Sequence, residues 1–107
     1  MPAHERQAAR NEDFFRASNE IELEDSQSDR RQPDFICECS RPGCVERIHI
    51  TPEECEHVRA RGTRFVLDPL HVDPSVEVIV EQHKAYVVVE KIGAAGDESQ
   101  RLDPRSE

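Results

Sequence analysis

Cys37, Cys39 and Cys44 stand in a C-x-C-x4-C pattern. Residues two apart on an extended strand point the same way, so Cys37 and Cys39 would present their sulfurs side by side. Arg41-Pro42-Gly43-Cys44 suits a type II turn, because proline presets φ at the second position and glycine accepts positive φ at the third. Such a turn would return Cys44 toward the other two. Three soft ligands within so short a stretch supply most of a tetrahedral zinc site, and a zinc ion takes thiols as thiolates. Arg41 and Arg47 would then partly offset the negative charge of zinc with three thiolates.

Several residues compete for the fourth position. His71 ranks first, because it sits in an irregular loop between Pro69 and Asp73 with no packing role in register. Cys55 ranks second and His49 third. Cys55 lies three before Val58 on a predicted helix, where a small apolar side chain packs well. His49 alternates with Ile48 and Ile50 and so faces away from them. His57 falls on a solvated helix face, and His83 closes an apolar stripe. The predicted metal ligands are therefore Cys37, Cys39, Cys44 and His71, with zinc as the cofactor. Two other uses of the cysteines compete with zinc: reduced thiols in packing, or a redox pair. A Cys37–Cys39 disulfide would be strained, whereas Cys44 with either neighbour is easier.

The rest of the composition narrows the field. The chain has 107 residues and a net charge of −9, with no tryptophan. Its large apolar residues concentrate in 33–93, a unit of about 60 residues that is marginal on its own and gains from a metal or a partner. Residues 1–32 read as an N-terminal helix and linker, and 94–107 as a disordered tail. An acidic chain without a Lys/Arg stripe is a poor match for nucleic acid or for an anionic membrane surface. No secretory signal opens the sequence and no apolar run is long enough to span a bilayer. A cytoplasmic location is expected, where clustered cysteines favour metal or redox chemistry over structural disulfides.

The elements that must position the cysteines follow from periodicity. Residues 5–25 predict a helix with Phe14, Ala17 and Ile21 as its apolar stripe and Ala8 and Phe15 beside it. Residues 34–39 and 45–50 predict the two strands of a hairpin. Thr51, Pro52 and Glu54 form a capping box that starts a helix ending near Gly62. Residues 63–67 predict a strand. Val76, Ile79, Val80 and His83 fall at i, i+3, i+4 and i+7 after Asp73-Pro74, which predicts a second helix. Residues 85–92 predict the last strand. The fold class is α+β: an N-terminal helix, then β-β-α-β-α-β with a mostly antiparallel sheet.

F-x-C-x-C-x4-C from Phe35, then E-R-I-x-I-T-x-E-E, R-F-V, a histidine after a short loop, and Y-V-V-V-E-K resemble a group of small uncharacterised actinobacterial proteins. The resemblance covers the core and part of the N-terminal helix. That group carries no established activity, so the resemblance implies no mechanism. Its members usually have an aromatic residue where this chain has Cys55, which implies that Cys55 fills a packing position. They usually have glycine where this chain has Leu70.

A closed four-ligand site contributes folding energy and leaves no position for a reacting water. The reading is therefore a small zinc-binding module for protein interaction or regulation, without catalysis and without a small-molecule substrate. Its partner would be a protein met through the N-terminal helix, with Phe14 and Phe15 as the best anchors, or through an open sheet face. No oligomeric state follows. The alternative is a thiol-based redox sensor in which oxidation releases zinc. A zinc hydrolase and a nucleic-acid binder rank lower. Glu38 or Glu46 could be named as a base, but Glu38 reads more simply as the outward residue of a strand. The sequence also lacks H-E-x-x-H, G-x-S-x-G, a phosphate-binding glycine loop and the deaminase elements.

Overall fold

A computed structural model describes residues 3–41 and 43–105, with side chains from residue 9 onward. The fold is α+β. Helix α1 (Ala3–Ser28) is followed by β1 (Phe35–Ile36) and β2 (Arg47–Ile48), then α2 (Pro52–Arg59) and β3 (Arg64–Leu67). A short 3-10 turn at Pro69–His71 leads to β4 (Glu77–Gln82), β5 (Val87–Lys91) and α3 (Gly93–Arg101). Strands β1 and β2 pair antiparallel, with Phe35 opposite Ile48. Strands β3, β5 and β4 form a second antiparallel sheet with β5 in the centre.

Central β5 carries Val87, Val88 and Val89, all buried, and β3 sets Phe65 opposite Val89 and Leu67 opposite Val87. These residues join Phe35, Ile48, Cys55 and Val58 in one apolar cluster. The segment after β1 is stitched to the larger sheet, because Glu38 N–H donates to the Val66 carbonyl at 2.8 Å. The capping box of α2 is present: Thr51 Oγ1 accepts from Glu54 N–H at 3.1 Å, and the Glu54 carboxylate reaches back to Thr51.

Three expectations need correction. Residues 77–82 are strand, not helix. Val76, Ile79 and Val80 fit a helical stripe by spacing, but β-branched residues suit a pleated surface equally well, and β5 needs a second neighbour. A bulge between Ile79 and Glu81 breaks the alternation that would have betrayed the strand. Only Glu77 of this strand is buried.

Residues 94–107, expected as a disordered tail, are ordered over their described part, which runs to residue 105. Gly93–Arg101 is helical and Gly96 and Ser99 are buried. It docks through small residues and polar bonds, so it shows no apolar signature. Arg16 donates to the Ser99 carbonyl at 2.9 Å. Beyond α3, Arg105 clamps Glu20 of α1 at 2.8 Å and Glu56 of α2 at 3.0 Å.

The inner face of α1 is not the Phe14–Ala17–Ile21 stripe. Among the described side chains of α1 the buried ones are Glu12, Phe15, Arg16, Asn19, Leu23 and Ser26, a helical stripe on the opposite side. Phe14 is 65% exposed and Ile21 62%. The polar members of the inner face make specific bonds that periodicity cannot register. Asn19 pairs with both backbone groups of Ile36, donating at 2.8 Å and accepting at 3.0 Å, in the manner of an extra strand. Arg16 donates to the Gly62 carbonyl at 2.6 Å and lies 4.7 Å from the centre of the Phe65 ring. Lys91 of β5 is buried between the carboxylates of Glu12 and Glu77. Burial pushes the Glu12 carboxyl up to about 7, against the pull of Lys91.

Candidate metal centre

The structure brings Cys37, Cys39, Cys44 and His71 together, with one ligand atom from each lying within 4.8 Å of all the others. Cys37 and Cys39 are fully buried, and Cys44 and His71 half-buried. Each arrives by an identifiable local device. Cys37 follows β1 and is held by its N–H bond to the Glu46 carbonyl at 2.9 Å, across the hairpin. Cys44 returns through a turn in which its N–H donates to the Arg41 carbonyl at 3.2 Å and Gly43 adopts φ 73°. Pro42, the predicted second turn position, lies outside the described residues. A Cβ on Gly43 would meet nothing within 4 Å, so the left-handed backbone alone is what calls for glycine there.

His71 is carried by the 3-10 turn. Asp68 caps it, its carboxylate accepting from Leu70 N–H at 2.8 Å, and Pro69 opens it. Asp68 N–H also donates to Cys37 Sγ at 3.2 Å, and Arg41 reaches the Leu70 carbonyl at 3.4 Å. The two loops are thus tied to each other beside the ligands themselves.

His71 Nδ1 lies 3.5 Å from Cys37 Sγ and 3.7 Å from Cys44 Sγ. A tetrahedral zinc with bonds of about 2.3 Å to sulfur and about 2.05 Å to nitrogen has an S···N edge of about 3.6 Å. These two edges match that figure. Each sulfur also faces a backbone N–H: Asp68 for Cys37, Arg41 for Cys39 and Glu46 for Cys44. For Cys39 and Cys44 the donor sits two residues onward in sequence. Such donors favour thiolate and orient the sulfur lone pairs toward a common centre.

The protonation of the three thiols is coupled. The Cys37 thiol donates to Cys39, which holds Cys39 well below the ordinary thiol range and Cys37 far above it. Burial pushes Cys44 up. Three thiolates in this volume repel one another, and a dication removes that penalty by binding all three.

The competing residues lie elsewhere. Cys55 is buried in the apolar core, where burial raises its thiol to about 12. His49 is exposed on the hairpin and His57 on α2. His57 and His83 flank the Glu81 carboxylate at 3.2 and 2.9 Å, and His83 stacks on Tyr86. Arg47 pairs with Asp34 at 3.4 Å and so does not serve the sulfurs as expected.

Glu38 is the residue that sequence reasoning misjudged most. It is not an outward strand residue but fully buried, and its charge is met inside the protein. One oxygen accepts from Arg59 at 2.6 Å and from Val66 N–H at 3.0 Å, and the other from Asn19 at 2.8 Å. The residue between the first two ligands is therefore anchored to α1, α2 and β3 at once. The signal that could have found it is Arg59, a lone arginine one position after the core residue Val58 on α2.

No family model, curated protein or solved structure matches this chain. Among the described residues no helix is long and apolar enough to cross a membrane.

Proposed function

We propose that this chain is a small zinc protein in which Cys37, Cys39, Cys44 and His71 hold one structural ion, and that it acts as an interaction or regulatory module without catalysis. The observation that carries this reading is the Cys3His group, whose S···N edges of 3.5 and 3.7 Å suit tetrahedral zinc. The donor set is soft and closed, which favours a structural ion over a reacting one. The ligands come from the β1–β2 hairpin and from the turn before β4, so an ion joins two segments at the point where Asp68 N–H already meets Cys37 and Arg41 meets the Leu70 carbonyl.

The test is metal analysis of protein purified without a histidine tag, beside C37S, C44S and H71A. One zinc per chain in the wild type, lost in each variant together with cooperative unfolding, is the expected result. Structural zinc contributes on the order of 10 kcal/mol in small domains, comparable to the whole stability of about 5–15 kcal/mol that a domain holds. A metal-free wild type that unfolds cooperatively with three reactive thiols overturns the reading.

A second reading is a redox sensor, favoured by the partial exposure of Cys44. Hydrogen peroxide would take two electrons from Cys44 and one neighbouring thiolate, forming one S–S bond, yielding water and freeing the ion. Zinc release by peroxide that thiol reductant reverses supports this reading, and zinc retained under mild oxidant refutes it.

A further inference from the structure

We propose that the outer face of α1 is a self-association surface, which pairs antiparallel with the same face of a second copy of this chain. The inference deepens the interaction reading by naming a partner, and it rests on that part of the reading and not on the metal.

Arg10, Phe14, Ala17, Ser18, Ile21 and Asp25 share one stripe of α1, on the side turned away from the buried stripe of Glu12, Phe15, Arg16, Asn19 and Leu23. Phe14 and Ile21 hold the centre of this stripe at 65% and 62% exposure, an expensive way to display two large apolar residues. Arg10 and Asp25 are exposed at its ends. Among the described residues neither has an ion-pair partner in its own chain, as is also so for Arg30, Arg41 and Arg61.

The order of the stripe selects the partner. About the point between Ala17 and Ser18 the sequence is complementary to its own reverse: Phe14 precedes that point by as much as Ile21 follows it, and Arg10 by as much as Asp25. A two-fold axis through the point sets Phe14 of one copy on Ile21 of the other, and Arg10 on Asp25, twice over. A parallel pair would stack arginine on arginine and aspartate on aspartate. The small alanine and serine side chains at the axis permit close approach of the two helices, at about 8 Å between axes. The stripe from Arg10 to Asp25 is about 23 Å long at 1.5 Å per residue, shorter than a standard interface needs, so association is weak, in the micromolar range. The other exposed apolar stretch, Val78, Ile79 and Val80 on edge strand β4, has no such complementary charges and serves as the control.

The experiment is sedimentation equilibrium of the zinc-loaded full chain from about 5 to about 500 µM, a range that brackets a weak interface. The wild type is expected to show a monomer–dimer equilibrium that Phe14→Glu weakens by at least about 30-fold. Arg10→Asp and Asp25→Arg should each weaken it about 3- to 10-fold, and the double swap should return it to within about 3-fold of wild type. That recovery is a result that loss of folding cannot mimic. A wild type monomeric throughout, a double swap worse than either single one, or dimer loss on Ile79→Glu but not on Phe14→Glu overturns the proposal. Zinc measured on the same samples separates the two claims, since a folded dimer without metal sinks the zinc reading and leaves this one standing.

Discussion

Replacing Glu38 by glutamine tests whether the metal site is held from behind by a buried charge. The substitution keeps the shape and removes the negative charge. In the wild type one carboxylate oxygen accepts from Arg59 at 2.6 Å and Val66 N–H at 3.0 Å while the other accepts from Asn19 at 2.8 Å. A glutamine amide has one accepting oxygen, so its NH2 must face either the Arg59 and Val66 donors or the Asn19 donor. Asn19 cannot rotate to help, because its own oxygen is committed to Ile36 N–H. Arg59 is buried; its Nη2 makes the Glu38 bond and another to the Arg64 carbonyl at 3.0 Å, and among the described residues its Nε and Nη1 have no hydrogen-bond partner. An uncompensated buried charge costs about 3–5 kcal/mol, and the donor clash falls within that range. Urea unfolding at saturating zinc should therefore show a loss of about 3–5 kcal/mol in E38Q. Because Glu38 separates Cys37 from Cys39, zinc affinity by chelator competition should fall about 10- to 100-fold. Removing both charges, as E38M/R59M, should recover most of the stability, since an apolar pair has no charge to strand. An E38Q protein within about 1 kcal/mol of wild type, or a double variant weaker than E38Q, would refute the reasoning.

Two further outcomes follow, one from a buried carboxyl and one from the turn before Cys44. The folded-state Glu12 carboxyl sits at about 7, raised by burial from 4.5, so the folded protein binds its proton more tightly than the unfolded chain does. Its contribution is therefore fully present below about pH 4.5 and lost as pH rises through about 7, up to about 3 kcal/mol. Since zinc loss at low pH has the opposite sign, the quantity to measure is the difference between wild type and E12Q at saturating zinc. That difference should move against the wild type as pH rises from 5 to 8, and a flat difference would reject the assignment. Gly43→Ala places a side chain in open space but at φ 73°, so it should cost about 1–2 kcal/mol by backbone strain alone, read as a lower urea midpoint. It should also weaken zinc through Cys44, and a variant of unchanged midpoint would mean the turn relaxes freely.

The cysteine cluster was legible because its geometry is local: a Cys-x-Cys segment directly after β1 and a turn with Gly43 at positive φ bring three sulfurs together within a single hairpin. His71 was legible by elimination, as an imidazole in a loop with no packing duty. The capping box of α2 and the valine-rich β5 are equally local signals. What the sequence concealed is non-local and polar. The inner face of α1 uses Glu12, Arg16 and Asn19, whose bonds to Lys91, to Gly62 and Ser99, and to Ile36 span up to most of the chain. Hydrophobic periodicity reads such residues as solvent-facing and so selected Phe14 and Ile21 instead. For β4 the competing physics was β-branching, since Val78, Ile79 and Val80 fit either period once a bulge interrupts the alternation. For α3 it was size, since Gly96 and Ser99 dock where larger side chains would not fit.

The spacing of the four ligands also sets a timetable. Cys37, Cys39 and Cys44 leave the ribosome almost together, whereas His71 trails Cys44 by 27 residues. On the proposed zinc reading, a nascent hairpin would seize an ion with three sulfurs while its fourth corner is still filled by water or a borrowed thiol. Capture would be completed only when the loop opened by Asp68 and Pro69 brings in His71, so metal delivery and docking of that loop would be successive events. Stopped-flow mixing of zinc with the unfolded chain would separate them as a fast thiolate signal and a slower one from the imidazole.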